Sequence, residues 1–106
     1  MPPDPNLKVN KMITFDNLLF IAHPHVPGAI MTQIRGLKDK GGKVISIVAG
    51  TGMYSAGKAG VRKAVDKVED VSSFEVAVLN AEGKFIGDVK GWLGREDIDK
   101  LIQIHS

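Results

Sequence analysis

The stretch Gly52-Met53-Tyr54-Ser55-Ala56-Gly57-Lys58 comes closest to a chemical motif in this chain. A glycine, four intervening residues and then Gly-Lys match the start of a phosphate-binding loop. In such a loop the backbone amides cradle phosphate, the lysine reaches its outer oxygens, and a hydroxyl on the next residue holds magnesium. Here the next residue is Ala59, which offers no oxygen to a metal, and no apolar strand ending in aspartate follows. The segment reads first as a glycine-rich surface loop. Gly52, Gly57 and Lys58 form a candidate anion-binding set, and a small phosphate- or nucleotide-binding module is the alternative function they support.

The remaining reactive residue types are scattered. His23 and His25 flank Pro24, a spacing that can present two imidazoles to a metal, but two ligands are too few and only His105 and Asp16 could add to them. No metal site and no cofactor are expected. The carboxylates fall into two groups, Asp66, Glu69, Asp70 and Glu96, Asp97, Asp99, each interleaved with lysines, as solvated helix faces are. Ser46, Ser55, Ser72 and Ser73 have no His–Asp pattern near them, so no nucleophile is indicated and the chain leans away from enzymes. A different signal comes from Tyr54, Arg62 and Lys63, an aromatic with two cations in the same central stretch. They are a candidate partner-binding set. Trp92, the single tryptophan, either anchors the core or presents a contact; core anchoring is the expectation.

The elements that must position these residues are legible from periodicity. Phe74, Val76 and Val78 alternate with Glu75, Ala77 and Leu79, a half-buried strand. Asn80-Ala81-Glu82-Gly83 supplies a turn, and Lys84-Phe85-Ile86 starts a return strand. Lys43–Ala49 is β-branched and glycine-bounded, hence a strand. Ile13–Phe15 and Leu18–Ala22 read as two further strands, and the prolines of His23–Gly28 end the second. Ala29–Leu37 is two-sided. Ile30, Ile34 and Leu37 have helical spacing, whereas a strand would leave Lys38–Gly42 as a hairpin loop. Val61, Val65 and Val68 suggest a short amphipathic helix. Arg95–Ile104 is a helix with Ile98, Leu101 and Ile102 on its apolar face and Glu96 and Asp97 in its first turn.

The totals set the frame. A chain of 106 residues, 43% hydrophobic and 25% charged, has room for one modest core. Residues 1–11, with three prolines, read as a flexible lead, and residues 12–106 as one domain, with Met12 an alternative start. Fourteen basic and twelve acidic residues leave a net +2, weak grounds for a nucleic-acid partner. There is no cysteine, which excludes disulfides and thiolate metal sites and suits a cytoplasmic location. No apolar run reaches a membrane span.

The segments ITFDNLLF, His23-Pro24, GKVISIVAG, SFEVAVLNAEGKF and GWLGREDIDKLI follow one another over most of Met12–Ile104. In order and spacing they resemble a family of small, functionally uncharacterised proteins of bacteriophages and bacterial genomes. Tyr54–Val71 departs from that pattern, being longer and more charged. The resemblance implies a compact α+β module and favours the strand reading of Ala29–Leu37. It implies a phage or mobile-element origin, and together with the lack of any catalytic set it motivates the expectation of a non-enzymatic accessory protein that binds a host or phage protein, for instance to inhibit a defence protein. A minor virion component is a further alternative.

The expected fold is therefore α+β, an antiparallel sheet with a C-terminal helix packed on one face; a three-layer βαβ arrangement is the alternative. The expected core includes Phe15, Leu18, Phe20, Val44, Ile47, Phe74, Val76, Val78, Phe85, Trp92 and Leu93.

Overall fold

β-branched runs build the sheet of this protein. The computed structural model describes residues 14–35 and 43–105, and of His105 the backbone alone. Val44–Gly50 (β3) and Val71–Leu79 (β6) are its central strands, antiparallel to each other with Ile45 opposite Val78 and Ile47 opposite Val76. Ala29–Ile34 (β2) pairs the other edge of β3, placing Thr32 opposite Ile47 and Ile34 opposite Ile45. A short β1 (Ile21–Ala22) flanks β2. On the far side, β6 pairs with β4 (Ala56–Gly57), which forms a small hairpin with β5 (Gly60–Val61), and with β7 (Lys90–Leu93). All pairings are antiparallel, and the seven strands run β1-β2-β3-β6-β4-β5, with β7 also on β6.

Directly opposed residues share a face, so Ile30, Thr32, Ile34, Ile45, Ile47, Phe74 and Val76 form one apolar layer. The helix α1 (Arg95–His105) covers it with Ile98 and Ile102, one helical turn apart and fully buried. Gly94 opens α1: its carbonyl accepts from the Ile98 amide at 3.1 Å, and its own amide donates to Asp97 Oδ2 at 3.0 Å. That reciprocal arrangement satisfies donors a helix start leaves open. The fold is thus α+β, and the three-layer alternative is overturned.

Several local expectations are corrected. Phe15 does not end a strand; it begins a 3-10 turn, Phe15–Asn17, because the Asn17 side chain captures the Thr14 amide at 2.9 Å. Leu18–Ala22 is strand only at Ile21–Ala22. Ala29–Leu37 resolves to a strand through Ile34, where Thr32, 8% exposed, fills the core position that helical spacing would have left polar and outward. The helix at Val61–Val71 is absent. The Val65 amide is instead tied to the Gly28 carbonyl at 2.9 Å, and only Val68–Asp70 forms a 3-10 turn, consistent with the low helix propensity of valine. The return strand at Lys84–Ile86 is reduced to one bridge, Leu79 with Phe85, and the strand that pairs with β6 comes later, at Lys90–Leu93. Phe85 (66% exposed) and Trp92 (49% exposed) are outside the core. The lead at residues 1–11, Met12, the start of the first expected strand at Ile13, the end of the Ala29–Leu37 segment at Gly36-Leu37 and the loop at Lys38–Gly42 lie outside the described residues.

Three substitutions test this packing by urea denaturation. At Gly50, φ is +129° and an added Cβ would lie 2.4 Å from the Gly28 carbonyl oxygen. Gly50→Ala is expected to lower stability by ~2–4 kcal/mol through strain and overlap. Gly83→Ala, at φ +82° but in open space, should cost roughly 1 kcal/mol. Ile102→Ala should cost ~2–5 kcal/mol as a core truncation.

Candidate binding surface

The central loop from Gly50 to Arg62 is held by its own backbone, by the Ser55 and Arg62 side chains, and by ties to β6 and β7. The Gly50 amide donates to the buried Ser55 hydroxyl at 3.0 Å, and the Met53 amide donates to the Gly50 carbonyl at 3.0 Å. The Gly52 amide donates to the Arg62 carbonyl at 3.1 Å, and the Arg62 guanidinium returns a bond to the Gly52 carbonyl at 2.8 Å. Tyr54 is fixed from both sides. Its amide donates to Glu75 Oε1 on β6 at 3.1 Å, and its carbonyl accepts from the Trp92 amide on β7 at 2.9 Å.

This double tie follows from how β6 is paired. β4 occupies its edge at Val71–Ser73 and β7 occupies the same edge from Phe74 to Val76. The two short strands meet end to end there, and each meets β6 through a register shift. In β7, three residue steps (Lys90 to Leu93) face two on β6 (Phe74 to Val76), a bulge. Within the bulge Trp92 has φ +62°, and Arg62, just past β5, has φ +57°. Both are conformations that side chains other than glycine rarely adopt.

The result is an exposed stack. The Tyr54 and Trp92 rings lie 6.1 Å apart, tilted by 48°, each about half exposed. The Arg62 guanidinium sits 4.9 Å from the Tyr54 ring centre, within cation–π range. Lys63 follows, exposed. Of the three residues expected to bind a partner, Tyr54 and Arg62 are in contact and Lys63 adjoins them. The residue missing from that set is Trp92, assigned to the core on hydrophobicity alone. Its neighbour Gly91, whose added Cβ would lie 2.5 Å from Tyr54 Cβ, was the one sequence sign that something packs closely there.

The anion set is arranged differently. After Lys58 the chain makes a β-hairpin rather than a helix, so no helix N-terminus faces the loop. The amides of Gly52, Met53, Tyr54, Ser55 and Lys58 all donate inside the protein, the last to the Asp70 carbonyl at 2.8 Å. Gly52 lies with Arg62 at the open end of the β4–β5 hairpin, while Gly57 and Lys58 lie at its turn. Lys58 instead borders a shallow, mostly apolar cavity of about 420 Å³ with Gly28, Val65, Asp66 and Asp70.

Other chemistry-bearing residues have structural tasks. His23 Nδ1 accepts the amides of His25 (3.1 Å) and Val26 (3.2 Å), so its ring closes the turn between β1 and β2. Asp97 caps α1, and Asp99 accepts the Phe15 amide. Arg95 lies against Phe15 and Phe74, 5.1 and 5.6 Å from their ring centres, and donates to the carbonyls of Val71 (2.9 Å) and Val68 (3.1 Å). Among the described residues no three His, Asp or Glu side chains gather into a metal-binding group, and no helix is long and apolar enough to cross a membrane.

No family model, curated protein or solved structure matches the chain.

Because Trp92 is the only tryptophan, its emission reads this surface directly. Acrylamide is expected to quench it in the native protein with little further gain on unfolding, and Tyr54→Ala should shift the native emission. A blue-shifted, quench-resistant tryptophan would contradict the exposed stack.

Proposed function

We propose that this chain is a non-enzymatic accessory protein that acts by binding a protein partner through the Tyr54–Trp92–Arg62 stack. One observation carries the reading: two aromatic rings and a guanidinium are held in the open by backbone bonds and by two left-handed residues. Tryptophan, tyrosine and arginine are the residue types that dominate interface energetics. Their fixed placement lowers the ordering cost that a mobile surface would incur on binding. The family resemblance of the sequence supports a phage or mobile-element setting, in which occupying the surface of a host protein is an activity that needs no reactive group.

Affinity capture from a bacterial lysate tests this when the native chain is compared with Tyr54→Ala and Trp92→Ala, each first shown by urea denaturation to be folded. A stoichiometric protein retained by the native chain should be weakened on the order of tenfold or more by either variant. Equal retention by all three, or no retained protein, would sink the proposal.

A further inference from the structure

The stack adjoins the face of the sheet that α1 does not cover. Met31, Ser46, Val48, Glu75 and Ala77 share that face, by the same pairing that sends their neighbours to the core. A shallow groove of about 180 Å³ runs over it, its apolar lining made by Val48, Met53, Ala77, Phe85 and Val89, with His23, Ser46 and Glu75 at its polar positions. Met53 joins the groove to the stack, for its neighbours Gly52 and Tyr54 contact the Arg62 guanidinium. An extended chain crossing here would meet apolar side chains first and cations next.

Exposed positive charge stands at that second position, where Arg62 and Lys63 adjoin the Tyr54 ring. Residues 50–67 carry Lys58, Arg62, Lys63 and Lys67 against the single acid Asp66, leaving ten basic and eleven acidic residues elsewhere. All four cations are exposed. Glu75 is the one carboxylate in the groove, and one of its oxygens is engaged by the Tyr54 amide. Its charge disfavours an acid inside the groove and leaves the Arg62–Lys63 end as the place for one.

Resting on the partner-binding reading above, we infer that the occupant is an extended acidic peptide segment. It seats an apolar side chain against Met53, Val48 and Phe85 and lays its carboxylates over Arg62 and Lys63. The order apolar-then-acidic is the recognition rule, and the Tyr54 ring separates the two halves. A single-stranded nucleic acid would use the same cations and rings. It would gain nothing from the apolar groove, and it would bring phosphate toward Glu75.

Trp92 fluorescence provides the assay. The probes are short acetylated peptides in which a leucine or phenylalanine is followed by two aspartates, their counterparts with two lysines, and an oligothymidylate strand. The acidic peptides should perturb Trp92 saturably. Arg62→Glu should weaken them on the order of tenfold, and Lys100→Glu, an equal charge change on the exposed side of α1, should not. Equal loss in both variants would reduce the effect to net charge and overturn the inference. Stronger binding by the lysine peptides or by oligothymidylate would overturn it as well. If no probe perturbs Trp92 the acidic rule falls, whereas the binding surface itself falls only if the capture experiment retains no protein or retains it equally with Tyr54→Ala and Trp92→Ala.

Discussion

Strand β6 has nine residues, and one of its edges is divided between two strands too short to cover it alone. Backbone donors and acceptors along a buried strand must be paired, so the edge is completed by β4 from one side and β7 from the other. Where they meet, neither strand can continue in register, and each enters through an irregularity. The seam is closed by Tyr54, whose carbonyl takes the Trp92 amide while its own amide is answered by Glu75. The placement of two aromatic rings on one surface is thus a by-product of completing a ladder.

The covered face of the sheet is organised by Arg95. Its guanidinium lies over Phe15 and Phe74 and bonds the carbonyls of Val68 and Val71, joining the first turn, the second 3-10 turn, the central strand and the start of α1. Phe15, Phe20 and Phe74 pack within 5.0–5.7 Å of one another beneath it. The core therefore gathers on one side of the sheet, under the helix, and α1 leaves the other side uncovered.

What was legible in the sequence follows the same physics. Lys43–Ala49 was legible from β-branched residues between glycines, Phe74–Leu79 because its alternation reports a single buried face, and Ile98 and Ile102 because i,i+4 spacing reports a helix stripe. Ala29–Ile34 was ambiguous since Ile30 and Ile34 satisfy both periods; only the burial of Thr32 between them decides for the strand. The valines at 61, 65 and 68 imitated a helix because spacing ignores tertiary bonds such as that from Val65 to Gly28. For Trp92 the failure has a different origin. Hydrophobicity predicts burial only when the face is known, and a bulge reassigns the face of every residue it displaces. Tyr54, Arg62 and Lys63 were identifiable by type, but the ring that completes their surface was hidden by that reassignment.

The left-handed backbone at Arg62 and Trp92 has one more implication. Each such residue raises the energy of the native chain by about 1 kcal/mol relative to a glycine in the same conformation. A lineage optimised for robustness alone would drift toward glycine at both positions and lose its surface in doing so. Two bulky side chains thus stand where the backbone prefers none; under the proposed binding role, related sequences that bind would keep bulky residues at both sites, and those that have kept only the fold would carry glycine.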